Sequence, residues 1–436
     1  MTPAARVAAA IEVLEKTHVS NSPADEVISA YFRGRRYIGS KDRRDISGRV
    51  YAIQRAQARL SWWTGTAEPR ANVIAHLTLA DQLPASDTEK LFTGEGYGPP
   101  SLSAGEAKLL QKLAGKSLTD PAMADAVRLE VPDWLMPQLR EQFGENLDAE
   151  LGALNRPASL DLRVNLLKSD CARALELLAQ EGIAAEPTPL SPIGLRIMTR
   201  VNLHTTTAYK GGFVEPQDEA SQIAALLCGA RADQLTIDYC AGAGGKTLAL
   251  AAAMKDGGPL IACDADPGRL RRIKGRLKRA GVSNVTVKCT EGNEGRAWLD
   301  RYKGLALRVL VDAPCTGSGA WRRNPAAKWS LTAERLDQYL AAQKDILAAA
   351  APLVAPGGRL IYATCSVLPV ENETQISAFL DAHPDFKPLP VNQVWAENIG
   401  GACPTIDAGA SYLRLSPARH ETDGFFVAIL ERDATP

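Results

Sequence analysis

From about residue 157 onward, short apolar runs rich in β-formers alternate with helical stretches. This alternation limits the chain to an α/β architecture built on a parallel, doubly wound sheet. The runs are residues 235–240, 260–264, 285–288, 307–312 and 359–365. Helical stretches at 247–254, 267–280 and 332–351 lie between several of them. A further run, 424–430, reads as a late strand, expected to be an antiparallel member at the sheet edge. In such sheets ligands bind at the carboxyl ends of the strands, near the point where strand order reverses. The residues that follow each run are therefore the first place to look for chemistry.

The preceding ~150 residues follow a helical grammar. Ala5, Val7, Ala8, Ile11 and Leu14 form an apolar stripe at helical spacing, and 25–31, 46–62 and 71–83 continue it. Proline-containing segments at Val131-Pro132-Asp133-Trp134 and Asn155-Arg156-Pro157 mark a transition. The expected division is a helical domain over 1–150, a small linking α/β region over 151–225 and a larger α/β domain over 226–436.

Lys plus Arg and Asp plus Glu both number 50, so no uniform basic coat covers the chain. The charge is nonetheless unevenly spread. Residues 1–65 hold 11 cations and 6 anions, whereas 66–155 hold 7 and 14. Arg33, Arg35, Arg36, Lys41, Arg43 and Arg44 cluster around Gly34 and Gly39. Such a cluster is either a solvated surface or an RNA contact. The longest apolar run, 346–355, has ten residues and contains a proline, well short of the ~20 that a membrane span needs. The N-terminal stretch has an amphipathic pattern rather than a secretory one. The 8 cysteines are scattered with no CxxC pair, and there are only 5 histidines, which argues against a structural zinc site. Scattered cysteines without a framework fit a reducing cytoplasm.

The first strand of the large sheet runs into Cys240-Ala241-Gly242-Ala243-Gly244-Gly245-Lys246-Thr247. A phosphate-binding P-loop would need Gly at 240, and a dinucleotide fingerprint would need Gly at 247; the chain has Cys and Thr there. What remains is a turn suited to a nucleoside ligand without phosphate, or a purely structural turn. Asp264 ends the next strand about 20 residues on, where a carboxylate accepts hydrogen bonds from ribose hydroxyls. The cations at 269, 271, 272, 274, 276, 278 and 279 read most simply as a solvated face. The fourth strand ends in Asp312-Ala313-Pro314-Cys315 and the fifth in Thr364-Cys365-Ser366. A single cysteine is usually a small buried hydrophobe. Two at the ligand-binding edge, one beside Asp and Pro, point instead to thiolate chemistry.

These residues resemble the RNA cytosine-5 methyltransferases. The resemblance rests on Arg163-Val164-Asn165-Leu166-Leu167-Lys168, Glu215 to Ser221, the Cys240 to Thr247 turn, Asp312 to Cys315, Arg322-Arg323-Asn324-Pro325 with Lys328-Trp329, and Ala363 to Ser366. Residues 37–63 resemble, more weakly, a NusB-like helical domain. The resemblance implies a Rossmann-like methyltransferase sheet, preceded by an all-helical NusB-like RNA-binding domain over 1–150 and a small linking RNA-binding region. It also implies S-adenosyl-L-methionine as cofactor, no metal, and RNA as partner, small-subunit ribosomal RNA in particular. In the family's scheme Cys365 attacks carbon 6 of cytosine, Asp312 meets ring nitrogen 3, and Cys315 assists release after methyl transfer to carbon 5. Cofactor contacts would come from Cys240 through Lys246, Asp264, Asn293 and Asp312; Lys168, Arg322 and Arg323 would meet RNA. The turn carries Ala241-Gly242-Ala243 where the family usually has Ala-Ala-Pro, and is expected to be looser. Asn293 aligns where the family usually has an acidic residue, with Glu291 and Glu294 beside it.

Two rivals remain. A DNA cytosine-5 methyltransferase would attack from the Pro-Cys motif, but its Glu-Asn segment would then lie in a different order from Glu371-Asn372 here. A catalytically idle RNA-binding factor would have no need of the cysteine pair.

Overall fold

The computed structural model describes residues 1–20, 23–199, 201–405 and 409–434. They form two compact units. One comprises Met1–Arg156 together with Trp321–Leu331, and the other Pro157–Ala320 with Thr332–Pro436.

The first unit is helical, as the apolar stripes predict. Helices Pro3–Val19, Ala24–Arg33, Ser40–Arg55, Gln57–Thr64 and Pro69–Leu79 enclose a core that includes Val13, Ile46, Val50, Leu60, Ile74 and Leu77. The stretch expected to be one helix over 46–62 breaks at Ala56, because buried Glu130 caps a new helix there. Its carboxylate accepts from the Ala58 and Arg59 amides at 2.8 and 3.1 Å. The segment Trp321–Leu331 groups with this unit. Buried Trp321 and Lys328 anchor it, with the Lys328 ammonium donating to Asn155 Oδ1 at 2.9 Å. Burial pushes that ammonium's pKa down to about 8.

The second unit holds two sheets. The smaller contains β1 (Leu160–Val164), β2 (Ala185–Pro187), β3 (Gly194–Ile197) and β4 (Val214–Pro216), in the antiparallel order β2-β3-β1-β4. Helix Cys171–Gln180, capped by Asp170, packs on it through Ala174, Leu177 and Leu178. This region clusters with the large sheet and is not a separate compact unit.

The larger sheet contains β5 (Thr236–Asp238), β6 (Leu260–Asp264), β7 (Val285–Cys289), β8 (Ala306–Asp312), β9 (Val354–Thr364), β10 (Phe386–Pro388), β11 (Tyr412–Leu415) and β12 (Phe425–Arg432). Its order is β10-β12-β9-β8-β5-β6-β7, with β11 also paired to β12. β5 to β9 run parallel, which is the expected doubly wound core. Alternate residues face opposite layers. Leu310, Ile361 and Ala363 meet helices Glu219–Leu227, Gly245–Ala253 and Val391–Asn398, while Val309, Val311, Leu360 and Tyr362 meet Ala333–Ala350 and Glu373–Ala382. β12 is antiparallel as expected but not at the edge. β10 pairs with its last residues and β11 with its first, so two short strands cover its outer side.

Candidate active site

The five parallel strands, β5 to β9, deliver their terminal residues to one end of the sheet. β5 leads into the Gly-rich turn. Gly242 and Gly244 adopt φ of +55° and +85°, which L side chains rarely tolerate. At Gly244 an added Cβ would stand 2.4 Å from Ile273 Cγ1, so only glycine lets helix Ile273–Ala280 come this close. The turn expected to be loose without its proline is tied down on several sides. The Gly242 amide donates to Asp264 Oδ2 at 2.8 Å, and the Gly244 amide donates to the Ala241 carbonyl at 2.8 Å. Arg276 donates to the Ala243 carbonyl at 2.7 Å, and Arg163 to the Gly245 carbonyl at 2.7 Å.

Those two arginines reveal what the family motifs around 163–168 and 215–217 do here. Arg163 is buried and also donates to Gln217 Oε1. Glu215 accepts from Arg276 Nε at 2.9 Å and from Arg279 at 2.6 Å. The small sheet therefore braces the turn. The cationic helix is not simply a solvated face, since Arg276 and Arg279 point inward onto Glu215. Asn165 donates to the carbonyls of Gly212 and Ala280, and the Lys168 ammonium to those of Gly211 and Arg279 at 2.9 and 2.7 Å. Lys168, expected as an RNA contact, thus ties off the C-terminal end of helix Ile273–Ala280.

Asp264, at the end of β6, is buried and receives the Gly242 amide on one oxygen and the Asp266 amide, at 2.8 Å, on the other. A carboxylate has about four acceptor sites; two are left for the hydroxyls of a sugar. Asp238 lies deeper. It accepts from Thr247 Oγ1 at 2.6 Å, and burial pushes its pKa up to about 7. Lys246, buried on the first turn of helix Gly245–Ala253, pairs with Asp312 Oδ2 at 2.7 Å, which leaves Oδ1 outside that pair. Burial, with carboxylates nearby, pushes the Cys240 thiol well up. Asn293 is exposed in the first turn of helix Gly292–Leu299, beyond β7.

β8 and β9 are adjacent, so their terminal loops bring Cys315 and Cys365 together. The two sulfurs stand 3.5 Å apart, and both are free thiols. The hydrogen bond to Cys365, then burial, raises the Cys315 thiol far above its usual range.

A buried network that sequence reasoning passed over holds these loops. Glu371 is fully buried. Its carboxylate accepts from the Thr316 amide at 2.9 Å, the Thr316 hydroxyl at 2.5 Å, Gln343 Nε2 at 3.0 Å and the Ser366 hydroxyl. Ser318 Oγ lies 3.0 Å from Ser366 Oγ and accepts from the Val367 amide. Each cysteine is therefore followed by a residue fixed on one carboxylate. At Gly319 an added Cβ would meet the Gly424 carbonyl at 2.0 Å, so the Cys315 loop packs directly on the chain entering β12. Thr316, Ser318 and Ser366 beside a Glu six residues past Cys365 are the available signal, but in the sequence Glu371 enters only as part of a Glu-Asn segment.

Arg322 and Arg323 lie on the segment that belongs to the helical unit, where Arg322 is buried and its carbonyl accepts from Arg55 at 2.8 Å. Among the described residues no group of His, Cys, Asp and Glu is arranged to hold a metal, and no helix is long and apolar enough to cross a membrane.

The observed residues fit S-adenosyl-L-methionine, the methyl donor: a glycine cradle with no room for Cβ atoms, a carboxylate with acceptor sites left for a sugar, and no phosphate loop. Comparison with known proteins agrees. Residues 225–431 match the family described as 16S rRNA methyltransferase RsmB/F, and residues 131–204 match the ferredoxin-like domain of that group. The probable ribosomal RNA small subunit methyltransferase B of Synechocystis sp. is 30% identical over 416 residues, covering 90% of this chain and 91% of its own. Ribosomal RNA small subunit methyltransferase B of Vibrio cholerae is 32% identical over 309 residues, covering 71% and 67%. Among solved structures, PH0851 superimposes with a TM-score of 0.78 at 27% identity, covering 99% of both chains. A methyltransferase homolog protein from Pyrococcus horikoshii does so with a TM-score of 0.60 at 26% identity, covering 72% of this chain and all of its own. On the glycine turn, the paired cysteines and these matches, the chain belongs to the 16S rRNA methyltransferase RsmB/F family.

Proposed function

We propose that this protein methylates carbon 5 of a cytosine in small-subunit ribosomal RNA through a covalent bond to Cys365. The observation that carries this reading is the pair of free thiols 3.5 Å apart at the ends of adjacent parallel strands, beside Asp312 and the glycine turn.

Carbon 5 of cytosine is a poor nucleophile on its own. Attack of the Cys365 thiolate on carbon 6 forms a C–S bond and moves the ring electrons toward carbon 5 and nitrogen 3. A proton taken up from water when the base binds is held between Asp312 and nitrogen 3 as electron density builds there, and returns to water as the base leaves; Lys246 holds that carboxylate in place. Bound S-adenosyl-L-methionine supplies an electrophilic methyl group, which the activated carbon 5 accepts. Asp264 accepts from the ribose hydroxyls, and the glycines of the turn leave space for the nucleoside.

The two thiols act as a coupled pair. While Cys365 is a thiolate, Cys315 keeps its proton, because a second charge 3.5 Å away in a buried site is costly. Once Cys365 is bonded to carbon its charge is gone. Cys315 then loses its proton to water and becomes the base that takes the proton from carbon 5. The C–S bond breaks, its electron pair returns to Cys365, and the 5-methylcytosine leaves. The base must first leave its stack, at a cost of a few kcal/mol.

The test is transfer of a labelled methyl group to RNA and to DNA of the same sequence. Label in 5-methylcytidine from 16S rRNA is expected; label only in DNA, or in another nucleoside, would defeat the reading. A second expectation concerns the cofactor. Asp264→Ala removes the acceptor for charge-assisted hydrogen bonds and should weaken S-adenosyl-L-methionine binding by about 1–3 kcal/mol, with the fold retained. Calorimetric titration measures this, and unchanged affinity would remove the ribose role.

A further inference from the structure

The reaction proposed above works on neighbouring ring atoms, carbon 6 for attack and carbon 5 for proton removal, so its two thiols must stand close together. That closeness has a second chemical consequence. Among the described residues no other two thiols hydrogen-bond each other. Cys171, Cys263 and Cys289 turn instead to the carbonyls of Pro192, Tyr239 and Ala265.

Backbone contacts hold the pair in register. The Ala313 amide donates to the Ala363 carbonyl and the Gly319 amide to the Cys365 carbonyl, both at 2.9 Å. The two loops therefore keep close to the spacing of the β8–β9 ladder that leads into them. Neighbouring strands lie ~4.8 Å apart, and a disulfide spans Cα separations of ~4.4–6.8 Å. The sulfurs are 3.5 Å apart. Bringing them to the bonded distance of ~2.05 Å takes small rotations about the two Cα–Cβ bonds. Thr316 and Ser366, the residues that follow, share the Glu371 carboxylate, so the loops stay in place while the side chains turn.

We infer that Cys315 and Cys365 form a site of reversible oxidation, where a hydroperoxide converts the thiol pair to a disulfide and stops methyl transfer. The inference rests on the assignment of Cys365 as the attacking thiol. The Cys365 thiolate attacks one oxygen of the hydroperoxide. An S–O bond forms, the O–O bond breaks, and the other oxygen leaves as water or an alcohol, carrying the proton that Cys365 gave up. Cys365 is then a sulfenic acid. Cys315, which the neighbouring sulfur and burial keep protonated, attacks it in turn. The S–S bond forms, the S–O bond breaks, and hydroxide departs with the Cys315 proton as water. The sulfurs are oxidised and the hydroperoxide is reduced, and no thiolate remains to attack carbon 6. A dithiol restores both thiols by two exchange steps through a mixed disulfide. A sulfenic acid without a partner goes on to sulfinic acid, which thiols do not reduce; Cys315 intercepts it one step earlier.

The experiment treats the full chain with hydrogen peroxide, without RNA or S-adenosyl-L-methionine, and then removes the peroxide. Mass spectrometry after proteolysis without reductant should find a peptide pair linked through Cys315 and Cys365. Methyl transfer to RNA should be lost in proportion to the linked fraction and should return with dithiothreitol. In Cys315→Ala the same treatment should leave Cys365 as sulfinic acid, which dithiothreitol does not reverse. This second readout is a mass and needs no turnover. Cys171→Ala, half-buried and outside the site, should link, lose activity and recover as the parent does.

A peroxide-treated parent with no link between Cys315 and Cys365 would overturn the site. So would full transfer by the linked protein, or a loss that dithiothreitol fails to reverse. The two readings fail separately. If only the cytosine chemistry is wrong, the linked peptides still form, and whatever transfer the protein performs still stops and returns. If only this site is wrong, untreated protein still makes 5-methylcytidine, and peroxide leaves the two cysteines unlinked.

Discussion

Replacing Cys365 by Ala should abolish methyl transfer, whereas replacing Cys315 by Ala should trap the RNA on the protein. Without the Cys365 sulfur no bond to carbon 6 forms, so carbon 5 never becomes nucleophilic. Without Cys315 the attack and the methyl transfer still proceed, but nothing takes the proton from carbon 5. The methylated base then stays bonded to Cys365, and a protein–RNA species survives denaturing electrophoresis. The asymmetry follows from dividing one reaction into attack and release, each with its own group. Two cysteines that merely filled the core would behave alike, each substitution costing a little stability and neither trapping RNA. If Cys315 were the attacking thiol the pattern would reverse, with an adduct in Cys365→Ala and none in Cys315→Ala.

The second large effect is expected at Glu371, which touches no reacting atom. Its carboxylate gathers the Thr316 amide and hydroxyl, the Ser366 hydroxyl and the Gln343 amide, and so fixes the residue after each cysteine. Glu371→Ala leaves several buried donors unpaired, and each costs about 1–3 kcal/mol unless water replaces the carboxylate. We expect a net loss near 2–4 kcal/mol in chemical denaturation. Displacing either sulfur by about 1 Å should lower the transfer rate roughly a hundredfold. Glu371→Gln keeps one acceptor oxygen and should recover part of both losses. Affinity for S-adenosyl-L-methionine, which we propose is set at the β5 and β6 ends, should stay near the parent value in both variants. An Ala variant as stable and active as the parent would show that the network is incidental.

What could be read from sequence divides along a physical line. The strands that form the parallel core are buried on both faces, so they appear as uninterrupted apolar runs. Their C-terminal residues follow directly, which is why Asp264, Asp312, Cys315 and Cys365 were legible as a set. β10 and β11 were not, because strands of three and four residues carry no periodicity. Their absence from the sequence reading made β12 look like an edge. Charge was the least legible feature. Arg276, Arg279, Arg163 and Lys168 look like solvated or ligand-binding cations, yet their partners are Glu215 and backbone carbonyls far away in sequence. The role of Glu371 is hidden in the sequence for the same reason. A buried carboxylate is recognisable only from its donors, and Thr316 and Gln343 lie 55 and 28 residues away. The segment 321–331 carries family motifs, but its place in the helical unit depends on packing of Trp321 and Lys328 that no local pattern announces.

The central claim is a bond between Cys365 and carbon 6 of a cytosine during methyl transfer to carbon 5. RNA substrate containing 5-fluorocytidine tests it most directly, because the fluorine at carbon 5 cannot be removed as a proton and release is blocked after methylation. With S-adenosyl-L-methionine present, the protein should form a covalent complex with this RNA. After digestion, mass spectrometry should find the methylated fluoropyrimidine on the peptide that contains Cys365. The same nucleotide on the Cys315 peptide, or no covalent complex while ordinary RNA is still methylated, would contradict the account.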